Sequence, residues 1–128
     1  MEVRSERHGE PGAELGDRIR IAIGRIERYP RVLIAEAHNL TRTLDDPTAH
    51  AEMVALRRAA ARMGSARLLG TTMYVTLEPC SMCAGAIVLA KVNRLVFAAA
   101  DPKTGMCGSL ACIVQDPRLN HRVELTVG

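Results

Sequence analysis

Aromatic side chains are nearly missing from this chain. Tyr29, Tyr74 and Phe97 are the whole set, 2% of 128 residues, and there is no tryptophan. Hydrophobic residues still make up 48% of the sequence, so a core has to be aliphatic and rich in alanine, and little ring surface remains for stacking on nucleic-acid bases. No apolar run approaches the roughly 20 residues that cross a bilayer. Nor is there a signal-peptide-like apolar stretch, and the expected location is cytoplasmic. Cysteine is limited to Cys80, Cys83, Cys107 and Cys112; with Cys80 and Cys83 at the spacing of metal ligands, they point to a reducing cytosol rather than a disulfide scaffold. Repeats and low-complexity tracts are absent. The formal net charge of +3 permits nucleic-acid binding without demonstrating it. A chain of this length has room for one core.

Along the chain, Met1 to Asp17 is charged and glycine-bearing without a hydrophobic period, and is expected to be disordered, leaving residues 18–128 as the folded domain. Ile19, Ile21 and Ile23 alternate with Arg20 and Ala22, a strand pattern, and Val32-Leu33-Ile34-Ala35 reads as its hairpin partner. Asp46-Pro47 reads as an N-cap and first-turn proline. Met53, Leu56, Ala60 and Met63 then recur every three or four residues until Gly64 ends the helix. Strands are expected around Met73–Thr76, Leu95–Ala98 and Val123–Val127, with a second helix from near Pro79 to Leu89. Strands interleaved with helices indicate an α/β sheet. Asp101-Pro102-Lys103-Thr104-Gly105 is a turn cluster beside a strand end, where substrate contacts commonly sit.

Two short strings carry the chemistry: His50-Ala51-Glu52 and Pro79-Cys80-Ser81-Met82-Cys83. One imidazole and two thiolates fill three of the four tetrahedral positions of a catalytic zinc and leave one for water. Zinc lowers the pKa of such a water from about 15.7 to roughly 7. A carboxylate that does not bind the metal can then carry the proton, and Glu52 is the candidate. On a regular helix His50 and Glu52 would point about 200° apart, so the site is expected over a helix end. Cys80 and Cys83, three apart, would share a helical face. Taken alone, the two cysteines also fit a redox motif or half of a structural zinc finger. A structural zinc wants a fourth protein ligand, however, and the spare candidates His38, His121, Cys107 and Cys112 lack the spacing. These four are read as structural.

Further strings, Asp46-Pro47-Thr48-Ala49-His50-Ala51-Glu52, Tyr74 through Ala86, Asp101-Pro102-Lys103-Thr104-Gly105 and Asn120-His121-Arg122-Val123-Glu124, resemble the bacterial tRNA-specific adenosine deaminases, a family within the cytidine deaminase-like zinc enzymes. The likeness is dense from about Ile34 to Val127. It implies a three-layer α/β/α domain with a mixed five-stranded sheet, a homodimer, one zinc per chain, and conversion of adenosine to inosine at the wobble position of a tRNA anticodon. His50, Cys80 and Cys83 match the metal ligands and Glu52 the proton shuttle. Asn39 matches the asparagine that holds the target base, and Asp101 and Lys103 match the loop bordering the nucleotide. Met1 to Pro30 matches nothing in the family, and the family's first helix and its last, beyond Gly128, are expected to be missing. Two other functions fit the same strings: deamination of a free base or nucleoside of guanine or cytosine type, and a non-catalytic zinc-binding remnant.

Overall fold

A computed structural model describes residues 18–23 and 32–128. The segment expected to be disordered, 1–17, lies outside the described residues, as does Tyr29. The elements follow in the order β1 (Arg18–Ile23), β2 (Val32–His38), α1 (Ala51–Met63), β3 (Thr71–Leu77), α2 (Ser81–Leu89), β4 (Arg94–Ala99), a 3₁₀ turn (Ile113–Gln115) and β5 (Glu124–Val127). The strands form one sheet in the order β2-β1-β3-β4-β5. β1 runs antiparallel to β2 and to β3, while β3, β4 and β5 run parallel. Between Ile21 and Ala22 the β1–β2 register shifts by a bulge.

Both crossover helices step across the sheet in the same direction, α1 from β2 to β3 and α2 from β3 to β4. A right-handed path places both on one face, and α1 and α2 are indeed neighbours. The described residues thus supply the sheet and one helical layer of the expected α/β/α arrangement. Met73 and Val75 of β3 and Leu95 and Phe97 of β4 are buried, alternating with half-buried Tyr74, Thr76, Arg94 and Val96, as a pleat with one well-covered face requires. Ala35, Ala37, Ala51, Ala55 and Ala59 line the contact between α1 and its strands. Small side chains let the helix sit close to the sheet, and the aliphatic, alanine-rich core expected from composition is realised. At the sheet edge, Arg58 and Arg62 of α1 donate to the carbonyls of Glu36, Leu33 and Ile34 on β2, occupying acceptors that an edge strand otherwise leaves open.

The ends of the two helices depart from the sequence reading. Asp46 does not cap α1; its Oδ1 accepts Thr48 N–H at 2.8 Å and Thr48 Oγ1 at 2.7 Å, closing a turn of its own. The helix starts at Ala51 with His50 as N-cap in extended geometry. Gly64 ends it in the left-handed region, φ 65°, where a residue without Cβ is unstrained. α2 likewise starts at Ser81 with Cys80 as its N-cap, so Cys80 is not on the helical face assigned to it.

Candidate active site

His50 and Cys80 are both N-cap residues with no side-chain capping bond, so their side chains are available to each other. His50 Nδ1 lies 3.7 Å from Cys80 Sγ and 3.5 Å from Cys83 Sγ. The three ligand atoms all fall within 4.8 Å of one another. Tetrahedral bonds of about 2.3 Å to sulfur and 2.05 Å to nitrogen place N and S roughly 3.6 Å apart. The donors therefore already stand at the spacing a zinc ion needs. N-cap and N3 side chains meet over the start of a helix, which explains how two residues between the cysteines brings their sulfurs together.

The electrostatics fit a cation. Cys83 is fully buried, and burial, with Glu52 and Cys80 beside it, pushes its thiol far above the ordinary thiol range. Ionising it in place requires a positive partner. Two helix N-termini converge on the pocket and favour negative charge there. Burial raises the Glu52 carboxyl above the usual carboxylate range, against smaller lowering contributions from its own backbone N–H, His50 and Cys83.

A cavity of about 260 Å³ opens over these groups, lined among others by Asn39, His50, Glu52, Cys80, Asp101 and Thr104. Five of the seven residues singled out from sequence meet there. Cys83 lies buried behind its wall. Lys103 does not line the cavity; it is exposed on the adjoining loop. Asn39 Oδ1 accepts Thr41 N–H at 2.9 Å and Thr41 Oγ1 at 2.7 Å. A backbone N–H can only donate, so that atom is the amide oxygen, and the NH₂ is the end left to meet a substrate. Asp101 is committed to its own loop: Oδ1 accepts Lys103 N–H and Thr104 N–H, and Oδ2 accepts Thr104 Oγ1. Those bonds, Thr104 Oγ1 first, hold its carboxyl below the usual range. It shapes the loop rather than offering a free carboxylate.

Glu78 was missed in the sequence reading. Its carboxylate is buried, 3% exposed, and takes four hydrogen bonds from the far side of the loop. Oε1 accepts Asp101 N–H at 3.0 Å and the Ser109 hydroxyl. Oε2 accepts Cys107 N–H and Ser109 N–H, each at 2.9 Å. Burial raises its carboxyl, and the bonds from Ser109, Asp101 and Cys107 together outweigh that and bring it below the ordinary range. Met106 N–H also donates to Pro79 carbonyl oxygen at 2.9 Å. Residues 101–109 are thereby strapped to the strand end that leads directly into Cys80. The sequence offered only a carboxylate beside a proline, Glu78-Pro79; the structure adds that a Cβ at Gly105 would run into the Glu78 carboxyl group.

Of the spare candidates, His38 closes β2 and His121 donates from Nε2 to the Val92 carbonyl at 2.6 Å. Neither belongs to the metal group, and Cys107 and Cys112 stand apart from it as well. No helix among the described residues is long and apolar enough to cross a membrane.

A mixed sheet whose two crossover helices begin at a His/Cys/Cys group, with a glutamate beside it in one cavity, is the arrangement of the cytidine deaminase-like fold. The chain belongs to the MafB19-like deaminase family, whose model matches residues 13–127. It is 51% identical to the tRNA-specific adenosine deaminase of Haemophilus influenzae over 98 residues, 77% of this chain and 57% of that protein. With the Bacillus subtilis tRNA-specific adenosine deaminase it shares 46% over 108 residues, 84% of this chain and 67% of that protein. The chain thus spans between about half and two thirds of the length of these two relatives. Among solved structures, a tRNA:A34 deaminase studied for A-to-I editing at the wobble position superposes with a TM-score of 0.74 at 39% identity, covering 85% of this chain and 76% of that one. A Bacillus subtilis guanine deaminase gives a TM-score of 0.55 at 37% identity over 63% of this chain and 49% of that one.

Proposed function

We propose that this chain hydrolytically deaminates adenosine to inosine at the wobble position of a tRNA anticodon, with one zinc per chain held by His50, Cys80 and Cys83. The observation that carries this reading is the pre-set spacing of His50 Nδ1 to the two sulfurs, 3.7 and 3.5 Å, inside a cavity that also holds Glu52. The relatives named for tRNA adenosine deamination, at 51% and 46% identity, support tRNA as the substrate. Zinc, when bound, supplies a Lewis acid that makes a water nucleophilic near neutral pH. Glu52 would accept one proton from the attacking water and pass it to the ring nitrogen of the base, then take the second from the newly added hydroxyl and deliver it to the amino group, which leaves as ammonia when its bond to the ring carbon breaks. Its buried, raised carboxyl suits a group that must both take and return a proton. The Asn39 NH₂ donates to the base edge. Asp101 holds the loop in shape, and Lys103 on its exposed side meets the phosphate or sugar of flanking nucleotides.

A homodimer and a cytoplasmic location belong to the same reading. Exposed leucines support the first, Leu89 at 79% and Leu110 at 59%, and sedimentation of the zinc-loaded chain tests it. The deciding experiment incubates zinc-loaded protein with an anticodon stem-loop bearing a wobble adenosine, in parallel with free adenine, guanine and cytosine, and measures released ammonia. Inosine in the stem-loop with inert free bases is the expected result. Release from guanine alone would move the assignment to the class of the guanine deaminase neighbour. Silence on all substrates with zinc bound would make the chain a metal-binding remnant.

A further inference from the structure

Cys107 and Cys112 lie outside the metal group, yet they face each other. They are partners in an isolated antiparallel bridge at the neck of a hairpin. The bonds on either side of the pair are Ile113 N–H to the Met106 carbonyl at 2.9 Å and Gly108 N–H to the Ala111 carbonyl at 2.8 Å. Cys107 and Cys112 therefore form a non-hydrogen-bonded pair, the kind in which opposed Cα atoms come within about 4.5 Å and side chains leave the same face. Disulfides span Cα separations from about 4.4 to 6.8 Å. Both thiols are free, Cys107 buried and Cys112 half-buried. One sulfur can therefore be reached from solvent while its partner is sheltered directly across the ribbon.

The hairpin is not a passive loop. Cys107 N–H and both donors of Ser109 end on the Glu78 carboxylate, so a covalent link across its neck would close a ring around the residues that hold Glu78. We propose that Cys107 and Cys112 are a redox-modification site, closed to an intramolecular disulfide by a hydroperoxide and reopened by a dithiol reductant. The Cys112 sulfur attacks the peroxide, an S–O bond forms as the O–O bond breaks, and one water leaves. The Cys107 sulfur then attacks Cys112 sulfur, an S–S bond forms as the S–O bond breaks, and a second water leaves. Two thiols have lost two electrons and two protons, and one hydrogen peroxide has become two waters.

Trypsin separates this pair from the metal ligands. Cleavage after Lys103 and Arg118 gives residues 104–118 with Cys107 and Cys112, and cleavage after Arg67 and Lys91 gives residues 68–91 with Cys80 and Cys83. The zinc-loaded full chain is treated with stoichiometric hydrogen peroxide, denatured in the presence of an alkylating reagent, digested, and weighed. Residues 104–118 should lose two hydrogens and carry no alkyl group, and dithiothreitol before alkylation should restore two alkylated sites. In Cys107→Ser, the Cys112 sulfenic acid should persist and be captured by dimedone, which the parent chain should escape. Two alkyl groups on residues 104–118 of the oxidised parent, a dimedone adduct on the parent, or a cross-link between the two peptides would each overturn the assignment.

Discussion

Replacing Glu78 by glutamine tests the strap between the metal strand and the substrate loop. An amide has one acceptor and one donor end, whereas the site presents donors to both oxygens. Placing the NH₂ at Oε2 would set it against two backbone N–H groups, Cys107 and Ser109. Placing it at Oε1 is better, because the Ser109 hydroxyl can turn and accept, but Asp101 N–H then faces another donor. Loss of one charge-assisted bond costs about 1.5–3 kcal/mol, and the two bonds retained at Oε2 weaken when the acceptor becomes neutral. The total is roughly 2–4 kcal/mol. With about 4 °C per kcal/mol for a domain of this size, the melting temperature should fall by roughly 8–16 °C. Urea unfolding of zinc-loaded parent and variant gives the free-energy difference directly. The sign with pH follows from the lowered Glu78 carboxyl. Its stabilisation is complete above the unfolded value near pH 4.3 and is lost as pH falls through the lower folded value. The gap between parent and glutamine variant should therefore narrow in acid, a comparison in which acid effects common to both proteins cancel. A loss below about 1 kcal/mol at neutral pH, or a gap that widens in acid, would refute the claim that the charge on Glu78 holds the loop.

Glu52→Gln should keep its metal, measured by elemental analysis, and lose turnover by at least about 10²-fold, because an amide cannot relay a proton. Cys83→Ala removes one of the three side chains grouped for a metal; zinc content should drop, and the stabilisation that zinc gives the parent chain in thermal melts should vanish. Gly105→Ala pushes a Cβ into the Glu78 carboxyl group and should cost about 1–3 kcal/mol by overpacking, read by urea unfolding. Lys103→Ala, exposed and outside the cavity, should weaken stem-loop binding and reduce the salt slope by about 1, leaving unfolding free energy unchanged; an unaltered slope would remove Lys103 from the RNA contacts.

Chemistry that depends on neighbours along the chain was legible before any fold was known. The grouping of His50, Cys80 and Cys83, with Glu52 nearby, was expected from residue type and spacing, and the structure brings the three ligand atoms within 4.8 Å of one another. The strand positions were legible too, because alternation and apolar runs are local. Tertiary structure decided what depends on partners far off in sequence. Asp46-Pro47 has the composition of a helix start, but the Asp46 carboxylate closes on Thr48 and α1 begins with His50 as cap, its Nδ1 beside sulfurs 30 and 33 residues away. Asp101 reads as a binding carboxylate, and its oxygens are taken by Lys103 and Thr104. Glu78 seemed only the residue before Pro79; its donors come from 23 to 31 residues further on. A buried carboxylate is tolerated only when its oxygens are fully paired, and such pairing across distant segments arises from how the chain closes on itself.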